Sequence, residues 1–376
     1  MSDLPSNGLF VTRLWRPGIG PALALLRDGD LIDITTRVTP TMRDLMERDD
    51  LPAYLAAHDG PLIAPLSTLD QHEPGPDSLH FLSPADLQAI KACGVTFARS
   101  MVERVIEERA AGDASRAEEI RARVGRLIGD SLRNLVPGSP QAAEVKALLQ
   151  AEGLWSQYLE VGIGPDAEVF TKAPPMASVG HGASVGLHPI SRWNNPEPEV
   201  VLAVDSRGRV KGVSLGNDVN LRDVEGRSAL LLGKAKDNNA SAAIGPFIRV
   251  FDDAFGIEDV RKLELTLTVT GEDGFTLTGR SSMSEISRDP LDLVTQTTAA
   301  HQYPDGFMLY CGTMFAPVQD RDGPGQGFTH HLGDRVTIAT PALGALTNTV
   351  RLATEIAPWS FGTAALMRNL AERGLL

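Results

Sequence analysis

Hydrophobic and polar residues alternate in three distinct ways along the chain. Over residues 8–35, short apolar runs (LFVTRLW, then ALALLRDGDLIDI) flank polar turns, which predicts strands joined by a hairpin at Asp28-Gly29-Asp30. Residues 59–78 (DGPLIAPLSTLDQHEPGPDS) are rich in Pro, Gly and Asp and read as a connector. The spacing changes over 100–159. Met101, Val102, Val105 and Ile106 make one apolar helical face, and Arg104, Glu107, Glu108 and Arg109 are expected on a solvated one. Further helices follow, broken at Val136-Pro137-Gly138. From Val161 onward the period drops to two, with strands expected at 199–205, 210–215, 263–270, 275–278, 306–310 and 335–340. Helical patches at 221–232 and 289–300 interrupt them. The pattern predicts a β-rich α+β protein. Its expected parts are a small N-terminal α+β domain over 1–80 and a catalytic domain over 81–376 that includes the helical segment 100–159.

The 376 residues suffice for one large domain or two ordinary ones. Lys and Arg number 35 against 48 Asp and Glu, a net charge of −13, which repels phosphate backbones and anionic lipid. Nucleic acid and membrane surfaces are therefore poor partners. No run of about 20 apolar residues is present to span a bilayer, and the N-terminus lacks a signal-peptide pattern, so the expected location is the cytoplasm. Two cysteines, Cys93 and Cys311, do not build a disulfide framework or a cysteine-based zinc site. The 36 Gly and 25 Pro exceed ordinary usage and point to many turns.

The most informative stretch for chemistry is Asn194-Asn195-Pro196-Glu197-Pro198-Glu199-Val200-Val201-Leu202. Alternate residues of a strand share a face, so Glu197 and Glu199 point one way and Val200 and Leu202 the other. Two adjacent carboxylates repel unless protons or a cation lie between them, and oxygen ligands suit Mg²⁺, Mn²⁺ or Ca²⁺. Solvated glutamates on an edge strand are the plain alternative. In Gly216-Asn217-Asp218 an apolar strand runs toward a helix, a junction that either presents Asp218 into a cleft or caps the helix. Eighteen residues on, Lys236 is a candidate acid or base, with a depressed pKa expected beside a metal. His181 lies in a glycine-bounded turn and is a candidate lining residue. His301 and the pair His330-His331 lack metal spacing and read as core or surface.

Taken together, Glu197-x-Glu199, Gly216-Asn-Asp218-x-x-x-Arg222-Asp223, Lys236 and Ile244-Gly-Pro246 resemble the signature of the fumarylacetoacetate hydrolase superfamily. Gly312-Thr313, Leu332-Gly333-Asp334 and Leu343-Gly-Ala-Leu resemble its closing strands. The resemblance implies a β-roll catalytic domain, a divalent metal (usually Mg²⁺) and 2-oxo acid substrates. It implies that Glu197, Glu199 and Asp218 are metal ligands, Lys236 the active-site lysine and Thr313 a contact for the substrate carboxylate. Hydrolases of the family carry a histidine that activates water. No histidine lies between His80 and His181 here; the segment that resembles the equivalent one runs from Cys93 to Ser100, where Arg99 and Ser100 are candidate substrate contacts. Upstream of the metal strand, AEVFTKAPP resembles the sugar-acid dehydratase branch, as do GVTFARSMVERVIEERA, WNNPEPEVV and KAKDNNAS elsewhere. That branch implies Glu168 and Lys236 as the acid–base pair, with Lys172 nearby, and dehydration of a 2-keto-3-deoxy-pentonate, of the D-xylonate or L-arabinonate series. It also implies a homodimer or homotetramer. Acylpyruvate hydrolysis, oxaloacetate decarboxylation and a non-catalytic metal-stabilised binding module are the alternative readings.

Overall fold

Side-chain alternation sorts the central strands onto two cores. In Pro198–Val204, Val200, Leu202 and Val204 join Val213 and Leu215 in one apolar cluster, while Val201 and Ala203 join Ile244 and Ile248 in another. Both faces are covered, so this strand and Ala242–Val250 are buried along their whole length. The computed structural model describes residues 4–5, 8–69, 74–111, 113, 115–117, 119–120, 135–151, 153 and 155–376, the side chains of 98–100 excepted.

These strands belong to an 11-stranded sheet whose order is Leu62–Pro65, Asp30–Asp33, Gly20–Arg27, Phe10–Arg16, Ala242–Val250, Val210–Asp218, Pro198–Val204, Phe307–Tyr310, Ala89–Gly94 and Glu168–Ala173, with His80–Leu82 pairing beside Phe10–Arg16. The expected hairpin is present: Arg27 pairs with Asp30, and the turn places Asp28 and Gly29 at φ of 50° and 86°. The N-terminal strands thus continue the sheet that carries the central strands, through the pairing of Phe10 with Arg249.

A second, five-stranded sheet runs Thr276–Ser282, Glu264–Thr270, Arg335–Thr340, Gly344–Leu352 and Ser184–Leu187. Its strand Glu264–Thr270 buries Leu265, Leu267 and Val269 and leaves Glu264 and Thr270 exposed, the alternation of a two-faced sheet. The helices Ala98–Ala110, Pro140–Ala151 and Gln157–Ile163 make a separate apolar cluster with Met101, Val105, Ile106, Leu159 and Trp193. The chain ends on the helix Thr363–Glu372, whereas the sequence pattern reads as β to the end. No helix among the described residues is long and apolar enough to cross a membrane.

Strand direction decides where the chemistry gathers. Pro198–Val204 runs antiparallel to Val210–Asp218 and to Phe307–Tyr310; Phe307–Tyr310 is parallel to Ala89–Gly94, which is antiparallel to Glu168–Ala173. The starts of two strands (at Glu199 and Glu168) and the ends of three (at Asp218, Gly94 and Tyr310) therefore lie on one edge of the sheet. In a flat sheet Glu168 would sit about 14 Å from Glu199, three strand spacings away. Both side chains nevertheless line one cavity.

Candidate active site

The cavity at this edge is lined by Cys93, Gly94, Val95, Arg104, Glu168, Phe170, Glu197, Glu199, Asp218, Glu225, Lys236 and Thr313. Register brings its acids together: Gly216 stands opposite Glu199, and the Asp218 amide donates to the Glu197 carbonyl at 3.0 Å. Each of Glu197, Glu199 and Asp218 offers an oxygen to a cluster no wider than 4.8 Å, and all three are buried. Asp218 is not a helix cap. The helix Arg222–Glu225 begins after Leu221 with no side-chain cap, and Asp218 faces the cavity.

Lys236 closes the short helix Leu232–Lys236 and places its Nζ 2.5 Å from Glu197 Oε2 and 3.0 Å from Asp218 Oδ2. Burial pushes this ammonium down, but Asp218, Glu197 and Glu225 outweigh it and hold it well above its usual range. The depressed value expected of Lys236 belongs instead to Lys172, where burial prevails over Asp218. Lys172 does not line the cavity. Its Nζ lies 2.7 Å behind Asp218 Oδ1 and donates to the carbonyls of Lys236 and Val219, so it braces Asp218 and the turns beside it rather than meeting substrate.

The solvated face expected of the first helix is also revised. Arg104 and Glu107 are buried: the Arg104 guanidinium contacts Glu197 Oε1, Glu107 Oε2 (2.7 Å) and Glu225 Oε2 (3.1 Å), and Arg222 Nε lies 3.2 Å from Glu107 Oε1. Arg104 and Glu225 are the site residues that sequence reasoning missed. Their only local signals are the i, i+3 spacing of Arg104 with Glu107 and the placement of Glu225 three residues beyond Arg222.

Glu197, Asp218, Glu107 and Glu225 are thus matched by Lys236, Lys172, Arg104 and Arg222, four carboxylates against four cations. Among the described residues, Glu168 and Glu199 enter no ion pair. Among the described residues Glu199 accepts only the Gly312 amide, at 2.7 Å; burial, then Asp218 and Glu197, push it well above the carboxylate range. Burial and Glu225 raise Glu168 to about 7 against Arg104 and Lys236. Two negative charges remain when both are ionised, the charge that one divalent cation balances. The donor set is all oxygen, so the residues present fit a hard divalent ion such as Mg²⁺.

Thr313 lines the cavity, its Oγ1 donating to the Phe315 carbonyl at 3.2 Å. The side chains of Arg99 and Ser100 lie outside the described residues. His181 is elsewhere: it packs edge-on against Phe81, accepts the Thr347 amide at Nδ1 (3.1 Å), and is kept neutral by burial, which takes it down to about 4. His330 is a core residue bound to Asp334, and among the described residues no histidine lines the cavity. The buried Cys93 thiol is pushed up, first by burial and then by Glu199 and Glu168, so it is no thiolate nucleophile. A larger cavity of about 870 Å³ beneath the N-terminal hairpin is walled by Phe10, Leu25 and Leu66 and, among the described residues, holds no glutamate, lysine or histidine.

Comparison with known proteins places this geometry. The chain is 31% identical over 193 residues to a probable 2-keto-3-deoxyxylonate dehydratase of Haloferax volcanii, covering 51% of this chain and 63% of that protein. It is 30% identical over 154 residues to a 2-dehydro-3-deoxy-D-arabinonate dehydratase of Saccharolobus solfataricus, covering 41% and 51%. The matched stretches therefore span about half to three fifths of these curated relatives. The fold matches a solved 2-keto-3-deoxy-D-arabinonate dehydratase in its apo form (TM-score 0.63, 19% identity, 91% of this chain and 99% of that one). It matches that enzyme complexed with magnesium and 2,5-dioxopentanoate equally well (TM-score 0.62, 19% identity, same coverage). The model of the fumarylacetoacetate (FAA) hydrolase C-terminal family matches residues 160–351, the stretch that holds Glu168, the acid triad, Lys236 and Thr313. The chain belongs to the fumarylacetoacetate hydrolase family.

Proposed function

We propose that the protein is a divalent-metal-dependent dehydratase that converts a 2-keto-3-deoxy-pentonate, of the D-xylonate or L-arabinonate series, to 2-oxoglutarate semialdehyde. The observation that carries this reading is the pairing of Glu168, near neutrality, with a fully protonated Lys236 across one cavity in which, among the described residues, Glu168 has no ion pair and no histidine is present. Dehydration needs a base at C3 and an acid at the C4 hydroxyl, and two groups with pKa values pushed apart supply them. Hydrolysis needs an activated water, and among the described residues no imidazole lines the cavity to supply it. The names of the two curated relatives, and the magnesium and 2,5-dioxopentanoate bound by the solved structure, support the same reading.

Glu197, Glu199 and Asp218 would hold Mg²⁺, which supplies Lewis-acid polarisation of the 2-oxo group. Glu168 takes the C3 proton. Lys236 delivers a proton to the leaving C4 hydroxyl, so that water departs and a C3–C4 double bond forms. Transfer of a proton from C5 to C3 moves the double bond to C4–C5, an enol that settles as the terminal aldehyde. Thr313 would meet the substrate carboxylate, a role that its position in the cavity wall supports.

The deciding assay offers Mg²⁺-loaded protein 2-keto-3-deoxy-D-xylonate, its L-arabinonate counterpart and an acylpyruvate. Formation of 2-oxoglutarate semialdehyde from either sugar acid is the expected result. Turnover of the acylpyruvate alone would sink the dehydratase reading.

A further inference from the structure

We infer that Arg104 is a positioning residue for the metal centre, holding Glu197 from the helix Ala98–Ala110. The inference rests on the metal reading proposed above.

Each carboxylate of the triad has one partner that comes from outside the triad and touches no other member of it. Glu199 takes the Gly312 amide, Asp218 has Lys172 at Oδ1, and Glu197 has the Arg104 guanidinium at Oε1. Lys236, by contrast, bridges Glu197 and Asp218 and fixes neither one alone. Partners of this kind set the direction in which a carboxylate presents its oxygen to a metal, and losing one typically lowers affinity about 10- to 100-fold.

Arg104 is built for the task by its own surroundings. Its Nη1 is held by Glu107 at 2.7 Å and lies 3.1 Å from Glu225, and Glu107 is held in turn by Arg222. The planar fork can face these two carboxylates and Glu197 at once, whereas a lysine ammonium, a compact point on a flexible stem, cannot. Arg104 stands 93 positions before Glu197, and the helix that carries it is no part of the sheet bearing the triad. The orientation of one metal ligand is therefore set by a separate layer of the fold.

Arg104→Lys separates positioning from charge, because the positive charge near the metal remains and only the fork is lost. The measurement is Mn²⁺ binding to metal-free protein, followed by electron paramagnetic resonance or calorimetry, with a thermal melt for each variant. Wild type should bind one Mn²⁺, and Arg104→Lys should bind it about 10- to 100-fold more weakly per folded molecule. Glu107→Gln, isosteric and outside the cavity lining, should weaken it by less, and it carries the test if the lysine variant does not fold. Arg13→Lys alters a buried arginine paired with Asp86 at 3.5 Å away from the cavity; it should lower the melting temperature and leave Mn²⁺ affinity unchanged. Unchanged Mn²⁺ affinity in folded Arg104→Lys, or in Glu107→Gln if only that variant folds, would overturn the inference and leave the metal site standing. Failure of wild type to bind Mn²⁺ would overturn both.

Discussion

Two buried acidic clusters in this molecule use the same residue types to opposite ends. Just before the central strand of the second sheet, Asp334 accepts from His330 (3.0 Å) and from Arg321 (2.6 Å), and Arg321 also pairs with Asp273 at 3.1 Å. Burial pushes Asp334 up, but hydrogen bonds from His330 and Arg321 prevail and take it down to about 2. In the cavity, Glu199 is buried to a similar degree and moves the other way, because no cation pairs with it among the described residues and Asp218 and Glu197 add like charge. A carboxylate saturated by cations is structural, while one left with excess negative charge is ready for an ion or a proton. Burial alone does not distinguish a catalytic acid from a structural one; the balance of partners does.

The comparison breaks most sharply at Glu168. Glu168→Gln should cut turnover by about 10²- to 10⁴-fold with Mn²⁺ binding retained, as measured by steady-state kinetics beside a metal titration. A variant with undiminished turnover would remove Glu168 from the acid–base pair. At the balanced cluster the loss should fall on stability. Asp334→Asn leaves Arg321 and His330 without their buried counter-charge and should cost about 3–5 kcal/mol in denaturant unfolding, with metal affinity per folded molecule unchanged. A large drop in metal affinity there would show that the clusters are not independent.

Gly94→Ala tests how finely Glu168 is placed. A Cβ at position 94 would lie 1.8 Å from Glu168 Oε2, so the carboxylate must shift, and a displacement of about 1 Å is worth up to about 10²-fold in turnover. Wild-type kcat in this variant would show that the cavity tolerates Glu168 in a second position.

The smallest effect is in the pH dependence of metal-free stability, where the two clusters act in separate windows with opposite signs. Glu168 rises from 4.5 to about 7 on folding, so the folded protein holds a proton that the unfolded chain releases. Its contribution is complete below pH 4.5 and disappears as pH climbs through 7. Asp334 falls from 3.8 to about 2, so its contribution is complete above pH 3.8 and disappears as pH drops through 2. Melting curves across pH should show a decline on each side. Glu168→Gln should reduce the neutral one, to which Glu199, also pushed up, still contributes, and Asp334→Asn should reduce the acid one; exchange of these effects between variants would refute the assignment.

Much of the site was legible from local chemistry. Glu197 and Glu199 share a face because a strand alternates, and Asp218, Lys236 and Glu168 stand in an order and spacing shared with a known family. The same local reasoning misplaced four residues. Lys172 lies in a strand segment that looks able to meet substrate, yet strand packing turns it behind Asp218. His181 occupies a glycine-bounded turn like those at many sites, and packs on Phe81 instead. Arg104 and Glu107 fall on the charged side of an amphipathic helix, yet both are buried, Arg104 in the cavity wall and Glu107 against Arg104 and Arg222.

What the sequence determined by itself is the set of local elements and the kinds of groups they carry, because side-chain period and residue chemistry depend on near neighbours only. The strands near 199–205, 210–215, 263–270 and 335–340, the hairpin at Asp28-Gly29 and the all-oxygen donor set follow from that. The tertiary structure decided convergence and charge balance. Five strand ends meet at one edge because antiparallel and parallel pairings follow a particular order, and Glu168 and Glu199, three strands apart, line one cavity there. Arg104 meets Glu197 because one helix docks with its polar side inward. Such contacts link residues many tens of positions apart. They exist only once whole elements pack, so no local pattern encodes which carboxylates end with a cation and which remain open to one.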